Sequence, residues 1–342
     1  MNSYVVLLFS MLFLLVMTLK GTKKQYAKIS SESYFSRNQT NWLRGLATIG
    51  IAYSHYLPKL DINNSYYWQV GFLGIFGVAI FLFLSGYSAM ISLINKPNYL
   101  KGYLPKRFSR LYIPFFILFV MYSIFLCFVD YKFSLINVLD LFIISLPGIT
   151  NWYLKVQFAL YILFFIYAKL IKNKKILLLV VYLTCFIYMI IGFKCGIDNF
   201  WYQSCYMFPL GMTFANYKDT IFRFLNFKYW LKLILSFVLF LLAYVPVYII
   251  GGVISEIIFV LAFIQFMIVA CVSFSGNSIL ATFFGKYSLE FYLSHTIILS
   301  LFNYFYNENE NILSFLIFII SSVLLAIIDK KISLAISKKL NL

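Results

Sequence analysis

VGFLGIFGVAIFLFLSGYSAMISLI, residues 70–94, runs for 25 residues without a charged side chain. As a helix it would be about 37 Å long, more than the ~30 Å hydrocarbon core of a bilayer. A helix apolar on every face has no side to offer water, so it belongs inside a large core or in a membrane. Working outward from it, similar windows recur at 4–19, 42–57, 109–129, 152–171, 176–193, 200–216, 230–250, 254–273, 287–305 and 312–328. Several are short and bounded by Lys or Asn. The expectation is an all-α polytopic transmembrane bundle of about eleven spans. Composition agrees, with 63% of the 342 residues apolar and 11% charged. That charged share is less than half the ~25% usual in soluble domains, which excludes a soluble globular enzyme and a disordered chain.

The net charge of +17 has to be placed before it is interpreted. On a soluble chain it would suggest nucleic acid; here it reports orientation, and no nucleic-acid partner is expected. Assigned to alternate loops, 24 of the 28 basic residues fall on one side, among them Lys20 to Arg44, Lys96 to Arg110 and the tail Lys330 to Lys339. The other side receives Lys59, Lys132, Lys155 and Lys194. By the positive-inside rule the N-terminus is outside and the C-terminus cytoplasmic. Residues 133–149 are apolar but contain Asp140, Pro147 and Gly148, and a crossing there would invert every later loop. They are expected to dip in or lie at the outer interface. Residues 4–19 lack a charged flank before them and a small-residue cleavage site before Lys20, so they read as a retained anchor. The expected division is 1–40, an extra helix with a basic loop, and 41–342, one membrane domain with a short basic tail.

Polar groups inside apolar spans are costly and are functional candidates by default. Both His of the chain, His55 and His295, fall in this class. The plain alternative is a His that satisfies a neighbouring helix. Arg is scarce, five against 23 Lys. Arg44, Arg107 and Arg110 all sit at the cytoplasmic starts of spans, where Lys would anchor equally well. The choice of Arg therefore tilts toward bidentate recognition of phosphate or carboxylate. Arg44 and His55 lie about 16 Å and about 20° apart on one helix, so they share a face. An Arg at the mouth and a His deeper in line one path for a phosphate-bearing carrier. Two His without a His/Asp/Glu cluster make a poor metal set, so no metal site is expected. No P-loop, dinucleotide fingerprint or nucleophile elbow is present. The five Cys read as small buried hydrophobes; the alternative is a pairing of Cys195 with Cys205, which lie near one expected outer turn.

Asn-Trp-Leu-Arg44-Gly-Leu-Ala-Thr-Ile-Gly-Ile-Ala-Tyr-Ser-His55 resembles the Arg-x10-His signature of the membrane-bound acyltransferase-3 family. Four further stretches follow in the family's order. They are Phe81-Leu-Phe-Leu-Ser85-Gly86-Tyr87, Lys106-Arg107-Phe-Ser-Arg110-Leu-Tyr-Ile-Pro114, Asn151-Trp152-Tyr153-Leu154 with Tyr161, and Phe284-Gly285-Lys-Tyr-Ser288-Leu-Glu290-Phe-Tyr292-Leu-Ser-His295. The likeness runs from about 41 to 328 and leaves the first span as an addition to a ten-helix core.

The resemblance implies an integral-membrane O-acyltransferase. Its donor would be cytoplasmic acetyl-CoA or another small acyl-CoA, a substrate and not a resident cofactor. Its acceptor would be a cell-surface polysaccharide or lipid-linked saccharide, in a bacterial cell membrane. It implies Arg44 and His55 as the catalytic pair and Arg44, Arg107 and Arg110 near the CoA phosphates. Ser85, Trp152, Gln157, Tyr161, Tyr292 and His295 would shape the substrate path. Some members carry Glu where this chain has Gln157, which removes a carboxylate that could assist the His. Some also carry an outer hydrolase-like domain; without one, direct transfer or a separate extracytoplasmic transferase partner is expected. Membrane lipid is the remaining partner. Glu290, four residues after Lys286, is expected to pair with it. The alternative is a lipid-linked saccharide flippase or polymerase, which would favour intramembrane Arg and large outer loops. An ion-coupled transporter would favour intramembrane carboxylates and inverted repeats.

Overall fold

The structure, a computed structural model, describes residues 23–24, 33–56, 65–128, 152–275, 278–305 and 312–340. The first expected span, segment 133–149 and Asn151 lie outside the described residues. Twelve helices are present among those described: α1 (Arg37–Tyr56), α2 (Ser65–Asn95), α3 (Tyr103–Phe128), α4 (Trp152–Leu170), α5 (Lys174–Lys194), α6 (Met207–Asn216), α7 (Lys218–Asn226), α8 (Tyr229–Ile249), α9 (Gly252–Ala270), α10 (Ile279–Lys286), α11 (Ser288–Phe305) and α12 (Ile312–Lys339). A two-residue antiparallel pairing joins β1 (Lys23–Lys24) to β2 (Phe274–Ser275).

Seven helices are long and apolar enough to cross a membrane: α2, α3, α4, α5, α8, α9 and α12. They make the chain a multi-pass helical membrane protein. Their outward faces carry many exposed large apolar side chains, as lipid-facing surfaces do; Ile234, Leu241 and Tyr248 on α8 are examples. α1 is helical over residues 42–56 of the expected 42–57 but carries Arg44, Ser54 and His55 within that window, so its composition alone does not mark it as a span.

Window 200–216 is not one helix. A 3-10 turn (Asn199–Trp201) and further turns lead into the ten-residue α6, about 15 Å long and half the apolar thickness. The segment nevertheless runs down the side of α5. Tyr188 Oη donates to the Trp201 carbonyl at 3.2 Å, and the Cys185 and Cys205 thiols each donate to the other's carbonyl at 3.6 Å. Farther down, the Tyr182 and Thr213 hydroxyls meet at 3.2 Å. Irregular backbone at such depth is tolerable only where protein covers it, and Tyr202, Gln203, Ser204 and Cys205 are all buried. Cys185, Cys205 and Cys271 are buried, as small hydrophobes would be, and Cys205 faces Cys185; Cys195 stands exposed and free, which corrects its reading as a buried hydrophobe and leaves the alternative pairing with Cys205 unmade.

Two close helix contacts set the architecture. A Cβ on Gly86 of α2 would lie 1.9 Å from the Phe208 carbonyl oxygen, so α6 sits directly on the α2 backbone. A Cβ on Gly45 of α1 would lie 1.8 Å from the Ala281 carbonyl oxygen of α10. Without a hydrophobic drive between helices in lipid, small residues of this kind let backbones approach. The start of α1 is tied in by buried Gln39. Its Oε1 accepts from Phe35 N at 2.6 Å, and its Nε2 donates to the Cys271 and Phe274 carbonyls at 2.7 and 2.8 Å. α11 packs against both α1 and α12.

Candidate active site

α1 positions the first two functional side chains. Arg44 is half-buried, one turn beyond Asn41, and its Nη1 donates to Asn41 Oδ1 at 3.2 Å. His55 stands exposed in the last turn of the same helix.

The three arginines gather at one end of the bundle's α1 and α3 helices. On α3, Arg107 is wrapped by tyrosines: Nη2 donates to Tyr99 Oη at 2.8 Å and Nη1 to Tyr161 Oη at 3.5 Å. Its guanidinium carbon also lies 4.6 Å from the Tyr161 ring centroid and 5.2 Å from that of Tyr103. These contacts hold the planar group without using up its fork of donors. Arg110 is exposed one turn on. Arg44 feels the positive charge of both Arg110 and Arg107, so three guanidinium groups share one neighbourhood. Among the described residues none of the three has a carboxylate partner; the ion pair found there is Lys330 with Glu290. Three like charges without a counter-ion repel one another, and an anion between them removes that repulsion.

The two histidines meet. His55 Nδ1 and His295 Nε2 are 2.9 Å apart, with their rings 16° from parallel. His295 is completely buried, and its Nδ1 lies 3.1 Å from the Phe291 carbonyl oxygen on its own helix, α11. One residue earlier, Ser294 Oγ donates to the Ser322 carbonyl of α12 at 2.9 Å, which fixes the rotation of α11 and the aim of His295.

Tyr153 connects the two groups. Its hydroxyl donates to Gln157 Oε1 at 3.1 Å and lies near Ser85 on α2. It feels the charge of Arg44. Its ring meets that of Tyr292 at 5.4 Å between centroids, and Tyr292 in turn lies 5.7 Å from His295. Ser85, Gln157, Tyr292 and His295 are thus brought together, and Tyr161 joins them to Arg107. Gln157 is buried, and its Nε2 has no partner among the described residues. Trp152 touches this group through the ring of the adjacent Tyr153, and its other ring contacts run to Phe200 and Trp201.

Tyr153 itself was not singled out from the sequence, although a signal exists. It precedes Gln157 and Tyr161 by one and two turns of α4, so the three share a face. Tyr99 and Tyr103, which hold Arg107, carried no such signal. Glu290 departs from expectation: it pairs with Lys330 on α12 at 3.1 Å, and Lys330 Nζ also donates to the Lys286 carbonyl. The antiparallel packing of α11 on α12 brings Lys330 in, and Lys286 keeps its ammonium near the Tyr287 ring. Among the described residues no group of three or more His, Cys, Asp and Glu side chains is gathered.

Fold and site define a multi-pass helical membrane protein in which a part-buried His–His contact and an arginine cluster are carried at two levels of one helix, α1. A family model described as an acyltransferase domain, that of the acyltransferase-3 family, matches residues 37–328. The chain belongs to this family and is an acyltransferase. No curated protein and no solved structure matches the chain.

Proposed function

We propose that the protein moves acetyl, or another small acyl group, from cytoplasmic acyl-CoA to a hydroxyl of a cell-surface polysaccharide or its lipid-linked precursor. The observation that carries this reading is the alignment on one helix of Arg44, within a cluster of arginines that have no carboxylate partner among the described residues, and His55, whose Nε2 has no partner among them either. The arginines suit the phosphates of a CoA donor. His55 suits the proton transfer that acyl transfer needs near neutral pH.

In this reading His55 Nε2 takes the proton of the acceptor hydroxyl as that oxygen attacks the thioester carbonyl carbon. The carbon–sulfur bond breaks, and the departing CoA thiolate receives the proton. Arg44 orients the carrier, and Tyr153, Ser85, Gln157 and Tyr292 line the way between mouth and base. The buried Gln157 amide N–H is a donor available to a substrate oxygen. A transient acyl group on His55 is the stepwise form of the same chemistry. Membership of an acyltransferase family leaves the flippase or polymerase alternative without support. The acceptor, the cytoplasmic side of the donor and a separate extracytoplasmic transferase partner are part of this proposal.

The test is the O-acetyl content of the surface glycan, released by mild alkali, in cells with and without the chain, together with transfer of label from acetyl-CoA in membranes. Loss of O-acetyl on deletion and return with the wild-type chain are expected. Unchanged acetyl content would overturn the assigned substrate class.

A further inference from the structure

Two ring contacts, read together, fix where the protons of both histidines sit. The Phe291 carbonyl oxygen can only accept, so His295 Nδ1, 3.1 Å away, must carry a hydrogen. If His295 is neutral, its Nε2 is then a bare acceptor. The nitrogen 2.9 Å from it, His55 Nδ1, must in turn be the donor. That leaves His55 Nε2 unprotonated. The other assignment would make His295 an imidazolium. His295 is completely buried, and among the described residues neither ring is ion-paired with a carboxylate. A buried charge without a partner is strongly disfavoured.

From this chain of contacts we infer that His295 is a positioning residue: it holds His55 in the tautomer whose free lone pair is on Nε2. The inference rests on the proposed role of His55 as the base. One ring nitrogen of a His is set by the hydrogen bond the other makes, a task that a buried carboxylate performs in hydrolase triads. Here the task falls to a second imidazole held by a backbone carbonyl. When His55 Nε2 takes the acceptor's proton, its Nδ1–H still donates to His295, which stabilises the cation without itself changing protonation. The proton then leaves from Nε2 to the CoA thiolate, so the pair ends as it began.

The chain has two His, so ring-15N labelling of histidine gives four ring nitrogens and no background. The full chain in lipid nanodiscs at neutral pH is expected to show both rings neutral and both protonated at Nδ1. In His295→Gln the side-chain amide oxygen can still accept from His55 Nδ1, so that tautomer should persist. In His295→Ala His55 should lose it. Glycan O-acetylation in cells is expected to fall at least ~10-fold for His295→Ala, toward the ~10⁴-fold loss seen when a triad His is left in the wrong tautomer, and less for His295→Gln. A wild-type spectrum with His55 protonated at Nε2, or a folded His295→Ala chain acetylating at the wild-type rate, overturns the inference. If the wild-type chain acetylates nothing, the proposed substrates fall, and the tautomer spectrum still decides the assignment of His55 and His295.

Discussion

Gly285 of α10 lies against the backbone of Asn41 on α1, so closely that a Cβ there would stand 1.8 Å from the Asn41 carbonyl oxygen. Asn41 is also the residue whose side chain accepts from Arg44. One glycine thus sets the distance of α10 from the turn that carries the arginine. Gly285→Ala cannot be absorbed by a flexible side chain, because the obstructing atoms are backbone. Overpacking of this kind costs about 1–3 kcal/mol. The variant should melt several degrees lower in detergent and lose acyl transfer. Gly71→Ala on α2 meets nothing within 4 Å and should melt at or above the wild-type temperature. Equal melting of Gly285→Ala and wild type would mean that α10 does not pack as described.

Arg107 differs from a simple charge in how it is held. Tyr99 and Tyr161 accept from two of its nitrogens while the Tyr161 ring lies under its plane. Lys keeps the charge but loses the fork. A hydrogen bond to a charged group contributes about 1.5–3 kcal/mol, so Arg107→Lys should bind acetyl-CoA roughly tenfold or more weakly. Tyr99→Phe removes one holding contact and should weaken binding less. Titration of acetyl-CoA into the purified chain measures both. Undiminished affinity in an Arg107→Ala, Arg110→Ala double variant would remove the donor assignment.

The faces of helices were legible in the sequence; their neighbours were not. Eleven residues of helix place Arg44 and His55 on one side whatever surrounds them, because 3.6 residues per turn is a local property. His55 and His295 are 240 residues apart, and nothing local says that α1 and α11 touch. That contact depends on how closely glycines such as Gly45 and Gly285 let α10 approach α1. Glu290 shows the same limit: a plausible partner one turn away, Lys286, loses to Lys330 on a helix that packs alongside. The break in window 200–216 was hidden because Phe200, Trp201, Tyr202, Cys205 and Tyr206 keep its irregular stretch rich in apolar and aromatic side chains, and the cover it receives from α4 and α5 is not a local property.

Cys195 tests orientation without mutation. It is exposed, whereas Cys185, Cys205 and Cys271 are buried. In the proposed orientation, with the basic loops cytoplasmic, the turn after α5 is outside. A membrane-impermeant maleimide added to intact cells should therefore label Cys195, read by mass spectrometry of the peptide that contains it, and Cys195→Ser should remove that peptide's label. Labelling of Cys195 only after the membrane is opened would reverse the orientation of α5 and with it the assignment of the arginine mouth to the cytoplasm.

His55 is where packing and catalysis can be separated most cleanly. It is exposed, and its single hydrogen bond among the described residues is to His295. Removing it opens no large buried cavity, and the fold should survive substitution. His55→Gln retains an amide N–H for His295 Nε2 but no group that can take up a proton near pH 7. A general base usually contributes ~10²–10⁴-fold to rate. Both His55→Gln and His55→Ala should therefore insert and melt near the wild-type temperature, bind acetyl-CoA with little change through Arg44, Arg107 and Arg110, and lose transfer by that factor. Arg44→Ala should show the complementary pattern, with weakened donor binding and His55 intact. O-acetylation by purified His55→Gln at the wild-type rate would make His55 structural, and the acceptor proton would have to be taken by another group.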